Sequence, residues 1–471
     1  MPSITIHGGI NEIGGNKILV ESSKAKIWLD FGLSFGKQAL YYDEWSNPRK
    51  YNGITDYFEM GMLPKIKGLY RHDYLKKSGI NEHKLEFDAL LLSHAHADHA
   101  NDMEFLHKDM PIYCGETAKL IMKSLEETGT TEYLNMTEQF NGKHYTKNPP
   151  MERPCNSFRT GDKITIKDID VEPIHVDHSM PGCYGIIAHA DGKTIAYTGD
   201  IRLHGIRADM TKDFITKAEK EKVDVLLCEG TRLDGKASMT ESQVREKIVE
   251  FVKATKGMCF VNFPIRDTDR MRTMFEVAKQ TDKKLVINLK QAHLLTTLDQ
   301  DKNLNMPNVK DMLIYVKRKK DGKITEGVDF GEYSKEYSIW ERNFLNLNNS
   351  VTYKDIKGMQ KGVLFYCDFF SLGELIDINP IPNSTYIHSL CEPFNEEMIL
   401  DMKRVQNWLD HFGLKLEHAH ASGHAGKEDI KEVVQTIDAK KVVPIHTEHP
   451  EVFKEFKCKL EIVQCGEDIR V

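Results

Sequence analysis

The chain has 471 residues, 40% of them hydrophobic, and a formal net charge of -7. That length supports more than one core, and the acidic balance excludes attraction of nucleic acid by the overall field, leaving local patches or bound cations to do it. Nine cysteines without a CxxC pair argue against a zinc ribbon and a disulfide framework.

The opening reads as short strands punctuated by glycine: "SITIHGG", "KILVES" and "AKIWLDFG". "EFDALLLSH" is a buried-strand pattern that runs directly into "HAHADHAND". "CYGIIAHADGKTIAYTGD" predicts a hairpin with Asp191-Gly192 at its turn, and "DVLLCEGT" predicts another buried strand with a polar end. From about residue 240 helix and strand patterns alternate, as in "ESQVREKIVEFVKAT" followed by "CFVNF", which predicts a parallel sheet. The one dense basic cluster, Lys317-Arg318-Lys319-Lys320, reads as a solvated loop. "FNEEMILDMKRVQNWLDHFG" predicts a helix stopped by Gly413. The tail ends strands on "HAHASGHAG" and "PIHTEHP". No basic leader and no membrane-length apolar run opens the chain, so we expect a cytoplasmic protein with no membrane partner.

Histidine placement is the main chemical signal. His94, His96 and His99, with Asp98 among them, fall within six residues after an apolar run. Imidazole nitrogen and carboxylate oxygen suit zinc, with manganese as the other metal of choice. Isolated histidines such as His107 and His293 read as surface residues. The candidate ligands exceed the four that a single zinc needs, which predicts two ions. His94, His96 and His178 would hold one, and Asp98, His99 and His446 the other. Asp200 would bridge them. Such a pair can share a hydroxide and clamp both oxygens of a phosphoryl displacement.

At these residues the sequence resembles the metallo-β-lactamase superfamily. "HAHADH" matches its HxHxDH motif, His178 and Asp200 match later motifs, and Asp30 in "WLDFG" matches an aspartate that supports the ligands from behind. The resemblance narrows to the β-CASP nucleases. "LLCEGT" resembles motif A with Glu229, "ASGHAG" motif B with His424, and "PIHTEHP" motif C with His446. "GGINEIGGNKILVE" resembles the opening of RNase J and the archaeal β-CASP ribonucleases. Two departures stand out: a longer insertion around residues 36–80, and an end shortly after motif C, where bacterial RNase J carries a further domain.

The resemblance implies an α/β fold: an αββα metallo-β-lactamase sandwich over 1–231 and 416–471, with a β-CASP domain inserted over 232–415 as a cap on the metal site. It implies a hydrolase that cleaves single-stranded RNA, from an end or internally, with two zinc ions. A homodimer is compatible with it. Asp98, Glu229 and His424 would be catalytic, Glu229 orienting His424 to protonate the leaving oxygen. Ser422, Gly423 and Arg270 are candidate phosphate contacts, Arg270 equally a brace for its helix. His175, His418, His420 and His449 are expected to orient ligands. A histidine at motif C is typical of the RNA-processing branches, whereas the DNA-repair branch carries valine, so a DNA nuclease is the weaker reading. A thioesterase or lactonase on the same fold has no need of motifs A and B. A non-catalytic subunit is disfavoured because every ligand position is filled, and a diiron redox role because His96 stands where those relatives carry glutamate.

Overall fold

The computed structural model of the chain describes residues 1–43, 45–136, 151–319, 334–393 and 396–471, with the short strands Gln139–Phe140 and Lys143–His144. It divides into two compact units. One comprises Met1–Leu203, Arg207–Ala237 and Gly423–Val471; the other comprises His204–Ile206 and Ser238–Ser422.

The first unit holds two sheets. The seven strands of the first run in the order Cys155–Phe158, Ile112–Gly115, Ala89–Leu91, Lys26–Phe31, Lys17–Glu21, Ser3–Gly8, Asp468–Arg470. The opening strand shows why it forms. Ile4 and Ile6 are fully buried while Ser3, Thr5 and His7 are half-buried, the period-two pattern of a strand covered on one face. The second sheet has six strands: Ile164–Ile166, Ile169–His175, Tyr184–Ala190, Lys193–Tyr197, Val225–Glu229 and Lys441–Ile445. Its hairpin turns at Asp191 (φ 48°) and Gly192 (φ 76°), both in the left-handed region that a type I′ turn demands. Ile18, Ile27 and Leu29 from the first sheet and Ile186, Leu227 and Val443 from the second share one core cluster. Helix Glu116–Thr128 packs on the strands Ile112–Gly115 and Cys155–Phe158. Helix Ala208–Lys220 packs on Ile169–His175 and on helix Lys427–Ile437. This is the αββα sandwich. Lys193–Tyr197, Val225–Glu229 and Lys441–Ile445 are parallel neighbours, so their carboxyl ends share one edge.

The second unit has a seven-stranded sheet in which every pairing is parallel. Successive residues serve opposite faces: Cys259 and Val261 join one core cluster, Met258 and Phe260 the other. Both faces are therefore covered, which is why these strands read as continuous apolar runs. Helix Glu396–Phe412 stops at Gly413, whose φ of 64° ends the α conformation. The strand Lys415–His418 pairs with Thr385–His388 inside this sheet, whereas the sequence reading ends the insert at residue 415. Strand pairing sets that edge, and motif spacing does not report it.

Two polar features differ from the sequence reading. The basic cluster is ion-paired instead of merely solvated: Lys317 meets Glu374, Arg318 meets Asp377 and Lys319 meets Glu341, while Lys320 lies outside the described residues. Arg270 is a brace. Its guanidinium is fully buried, its Nε and Nη2 donate to the Glu241 carboxylate at 2.8 and 3.1 Å, and it also donates to the carbonyls of Ser389 and Ala421. A cation already held by a buried carboxylate and two carbonyls has no edge to turn toward a phosphate. Arg270→Ala strands the Glu241 charge in the interior and should cost about 3–5 kcal/mol, read by denaturant unfolding. A loss below about 1 kcal/mol, the size of an exposed pair, would contradict the brace.

Candidate metal centre

The strand edge described above collects the polar side chains. Ala89–Leu91 leads into Ser93 and His94, and a single helical turn, Ala97–Ala100, carries Asp98 and His99. His178 follows the strand Ile169–His175, Asp200 follows Lys193–Tyr197, Glu229 ends its own strand, and His446 follows Lys441–Ile445. The loop at Asp98 admits close neighbours only because they are glycine. A Cβ on Gly32 would lie 1.7 Å from the Asp98 carbonyl oxygen, and one on Gly14 would lie 2.6 Å from the Asp98 Cβ. Asp30 (φ 57°) and His446 (φ 52°) adopt left-handed backbone without being glycine, a strain that concentrates at functional sites.

Two sets of donor atoms result, each within 4.8 Å: His94, His96, His178 and Asp200, and Asp98, His99, Asp200 and His446. In the first, His96 Nδ1 lies 2.9 Å from His94 Nε2 and 3.1 Å from His178 Nε2. Asp200 Oδ2 lies 3.5 Å from His94 Nε2 and 3.7 Å from His178 Nε2. In the second, Asp200 Oδ2 is 3.2 Å from His99 Nε2, and its Oδ1 is 3.7 Å from His446 Nε2. Asp98 Oδ2 is 3.2 Å from His446 Nε2 and 3.8 Å from His99 Nε2. Asp200 belongs to both sets.

The far side of each ring explains this aim. His99 Nδ1 lies 2.8 Å from Asp30 Oδ2, His94 Nδ1 lies 2.9 Å from Ser93 Oγ, His178 Nδ1 meets the Gly423 carbonyl, and His446 Nδ1 lies 2.8 Å from Thr231 Oγ1. Occupying Nδ1 with an oxygen partner leaves the Nε2 lone pair to point inward. Asp30 also accepts from the Ser93 N–H, the Ser93 hydroxyl and the Tyr197 hydroxyl, at 2.6, 2.6 and 2.5 Å.

Electrostatics favours cation occupancy. Burial pushes the His94 and His178 imidazoles well below the ordinary histidine range, so they are neutral and keep their lone pairs. Burial works the same way on His99, but the Asp200 and Asp98 carboxylates outweigh it and raise that ring. Burial opposes ionisation of Asp200, yet the imidazoles of His446, His99 and His424 hold its carboxyl well below the usual range. Asp98 is lowered in the same way, with His99 and His446 overcoming burial. The buried atoms His99 Nε2 and Asp200 Oδ1 make no hydrogen bond. For comparison, tetrahedral zinc with ligand bonds of about 2.0–2.1 Å separates its ligand atoms by about 3.3 Å, close to the separations here. The donor set fits two zinc-type ions.

A third group adjoins these. Glu229 Oε1 accepts the Ile201 N–H at 2.6 Å, and Oε2 accepts from Thr231 Oγ1 at 2.8 Å and from His424 Nδ1 at 3.0 Å. Burial opposes a charge on His424, but the Glu229 and Asp200 carboxylates prevail and push it up to about 9. Thr231 therefore links the Glu229–His424 pair to His446, donating to one and accepting from the other.

The structure thus brings together His94, His96, Asp98, His99, His178, Asp200, Glu229, His424 and His446, with Asp30 behind them. Gly423 joins through its carbonyl. The Ser422 N–H is donated to Ser238 Oγ, and its carbonyl accepts from His204. Four histidines expected to orient ligands have other partners: His175 bonds Thr160, His418 the Leu390 carbonyl, His420 the Ser389 carbonyl, and His449 pairs with Glu451. His107 and His293, read as surface residues, are buried. Sequence reasoning missed Ser93, Tyr197 and Thr231. Thr231 was within reach, two residues beyond Glu229 in "CEGT".

Comparison with known proteins agrees with this geometry. Residues 76–261 match the β-lactamase superfamily domain, and residues 413–462 match the Zn-dependent metallo-hydrolase RNA specificity domain. Residues 76–261 thus carry a β-lactamase superfamily domain. The chain is a metal-dependent hydrolase, similar to the RNase J proteins over nearly all of its length. Ribonuclease J of Mycoplasma pneumoniae is 22% identical over 94% of this chain and 67% of its own length. Ribonuclease J of Helicobacter pylori is 23% identical over 98% of this chain and 58% of its own length. Ribonuclease J of Pyrococcus abyssi is 21% identical over 94% of this chain and 88% of its own. The chain thus spans about two thirds or less of the two bacterial relatives. A protein of unknown function from Enterococcus faecalis V583 superposes with a TM-score of 0.74 at 22% identity, over 99% of both chains, and so shares the fold.

Because Asp200 belongs to both donor sets, Asp200→Ala should impair both positions. Elemental analysis should find up to two zinc-type ions per native chain and clearly fewer in the variant; full metal content in the variant contradicts the bridge. Thr231→Val removes the acceptor that fixes the His446 ring and should weaken metal affinity about 10–100-fold, with Thr231→Ser restoring it. A chelator competition that finds the valine variant unchanged would remove Thr231 from the site.

Proposed function

We propose that the chain is a zinc-dependent ribonuclease that hydrolyses phosphodiester bonds of single-stranded RNA. The observation that carries this reading is the Glu229–His424 pair set directly against the two donor groups that share Asp200. The RNA specificity match, which contains His424 and His446, and the names of the relatives support RNA as the substrate. All nine cysteines are free thiols, which suits a reducing compartment such as the cytoplasm. Among the described residues no helix is long and apolar enough to cross a membrane.

Hydrolysis needs an activated water, stabilisation of the anionic phosphate and a proton for the leaving oxygen. Bound in the two donor sets, zinc-type ions supply positive charge to the phosphate and make a water more acidic near neutral pH. The remaining work falls to the chain. Asp98 is the more exposed carboxylate of the donor sets, 17% accessible against 1% for Asp200, and takes the proton of the attacking water. The new phosphorus–oxygen bond forms as the bond to the leaving oxygen breaks. His424 gives that oxygen its proton. Its Nδ1 is engaged by Glu229, so the proton comes from Nε2, and Glu229 both orients the ring and favours its charged form. Ser422 and Gly423 precede His424 in the same loop and would contact the adjoining phosphate.

The ligands lie deep: His94, His99, Asp200 and His446 are 1% exposed or less. A backbone free to bend can deliver a phosphate to such a floor, and an unpaired strand can also stack its bases on side chains along the way. A duplex holds its phosphates on a stiff outer rail.

His424→Ala should reduce turnover roughly 10²–10⁴-fold, the range for loss of a general acid, with metal content near normal. Loss of metal together with activity would make His424 structural. On matched substrates, single-stranded RNA should be cleaved far faster than duplex RNA, single-stranded DNA or a chromogenic ester. Initial rates on oligomers labelled at either end would also separate stepwise from internal cleavage. Equal rates on duplex and single strand would overturn the strand preference, and lactone or thioester turnover without nuclease activity would overturn the assignment.

A further inference from the structure

Cys114 is the third residue of the strand Ile112–Gly115 in the first sheet, and Cys155 begins its parallel neighbour Cys155–Phe158. The register sets Cys155 beside Ile112 and Cys114 beside Ser157. The two residues are 41 apart in sequence, yet their Sγ atoms lie 3.7 Å apart. Cys114 is fully buried and Cys155 half-buried. We propose that Cys114 and Cys155 form an oxidisable dithiol that closes to a disulfide under peroxide.

The environment fits that chemistry. A thiol must reach its partner and one of the two must be open to the oxidant. Cys155 meets the second condition. The Lys119 ammonium donates to the Cys155 carbonyl at 3.2 Å, which brings a cation close to that residue. The S–H of Cys114 stabilises a thiolate on Cys155, whose pKa is lowered, while the same contact and burial push Cys114 up. The roles are therefore unequal: Cys155 is the attacking sulfur and Cys114 the resolving one.

The Cys155 thiolate attacks one oxygen of hydrogen peroxide, the O–O bond breaks, and the sulfur is oxidised to a sulfenic acid as hydroxide leaves and takes up, as water, the proton that the Cys155 thiol gave up on ionising. The Cys114 sulfur then attacks the Cys155 sulfur, its proton leaves with the hydroxyl, and a second water is released. The disulfide has taken up the two-electron oxidation. Bonding requires the sulfurs to close from 3.7 Å to about 2.0 Å, and the two-residue offset in register means that the strands must shift as the side chains rotate. A thiol reductant reverses the change.

The bond would tie two hydrogen-bonded strands. One of them, Ile112–Gly115, also accepts the Leu92 N–H through Tyr113, just ahead of Ser93 and His94. The oxidised chain is thus stapled beside the ligand loop without touching any ligand. Cys391 and Cys465 are exposed and provide internal controls for indiscriminate oxidation.

The test is graded hydrogen peroxide on the metal-loaded chain, followed by alkylation and peptide mapping. A linked Cys114–Cys155 peptide should appear while Cys391 and Cys465 remain largely alkylatable. It should vanish with dithiothreitol and in Cys155→Ser, which alters the partly open position and leaves the buried one intact. The oxidised chain should also melt at a higher temperature than the reduced chain, and Cys155→Ser should not show that shift. Over-oxidation of Cys155 with Cys114 still alkylatable, or consumption of Cys391 and Cys465 before any linked peptide forms, would overturn the proposal.

Discussion

Convergence of lone pairs on Asp200 is the constraint on which the site depends. His94, His178, His99 and His446 direct Nε2 atoms to within 3.2–3.7 Å of one carboxylate, and His96 adds an Nδ1 beside two of them. In water such a gathering gains nothing. In a dry interior it is costly, because unpaired acceptors forfeit their hydrogen bonds. A pair of cations turns the same arrangement into a favourable one.

What makes the convergence possible is the ring of oxygen partners behind it. Asp30, Ser93, Thr231 and the Gly423 carbonyl each occupy an Nδ1, so ring orientation is set before any ion arrives. Those partners come from four separate stretches of chain, and the sheet edge brings them to one place. Glu229 extends the logic from binding to chemistry. Its two oxygens reach the Ile201 N–H, the Thr231 hydroxyl and His424, which couples the proton donor to the same scaffold that aims His446.

Much of this was legible in the sequence because ligands cluster where strands end. "HAHADH" places four donors within six residues, and the apolar run before it fixes which end of a sheet they occupy. The type I′ hairpin at Asp191-Gly192 and the helix stop at Gly413 were legible because each has a local stereochemical cause. What escaped is non-local. Arg270 reads equally as a phosphate contact or a brace until Glu241, 29 residues away, is seen to hold it. His175, His418, His420 and His449 lie near ligands in sequence, but the fold gives them other partners. The pairing of Lys415–His418 with the second unit's sheet, and the meeting of Cys114 with Cys155, depend on register, which periodicity does not encode.

The site turns on whether the two donor sets that share Asp200 would each hold a cation. Anomalous diffraction from crystals of the zinc-loaded chain tests this directly. Two peaks per chain are expected, one enclosed by His94, His96, His178 and Asp200, the other by Asp98, His99, His446 and Asp200. A single peak at full zinc saturation, or a second peak that Asp200 does not reach, would contradict that arrangement.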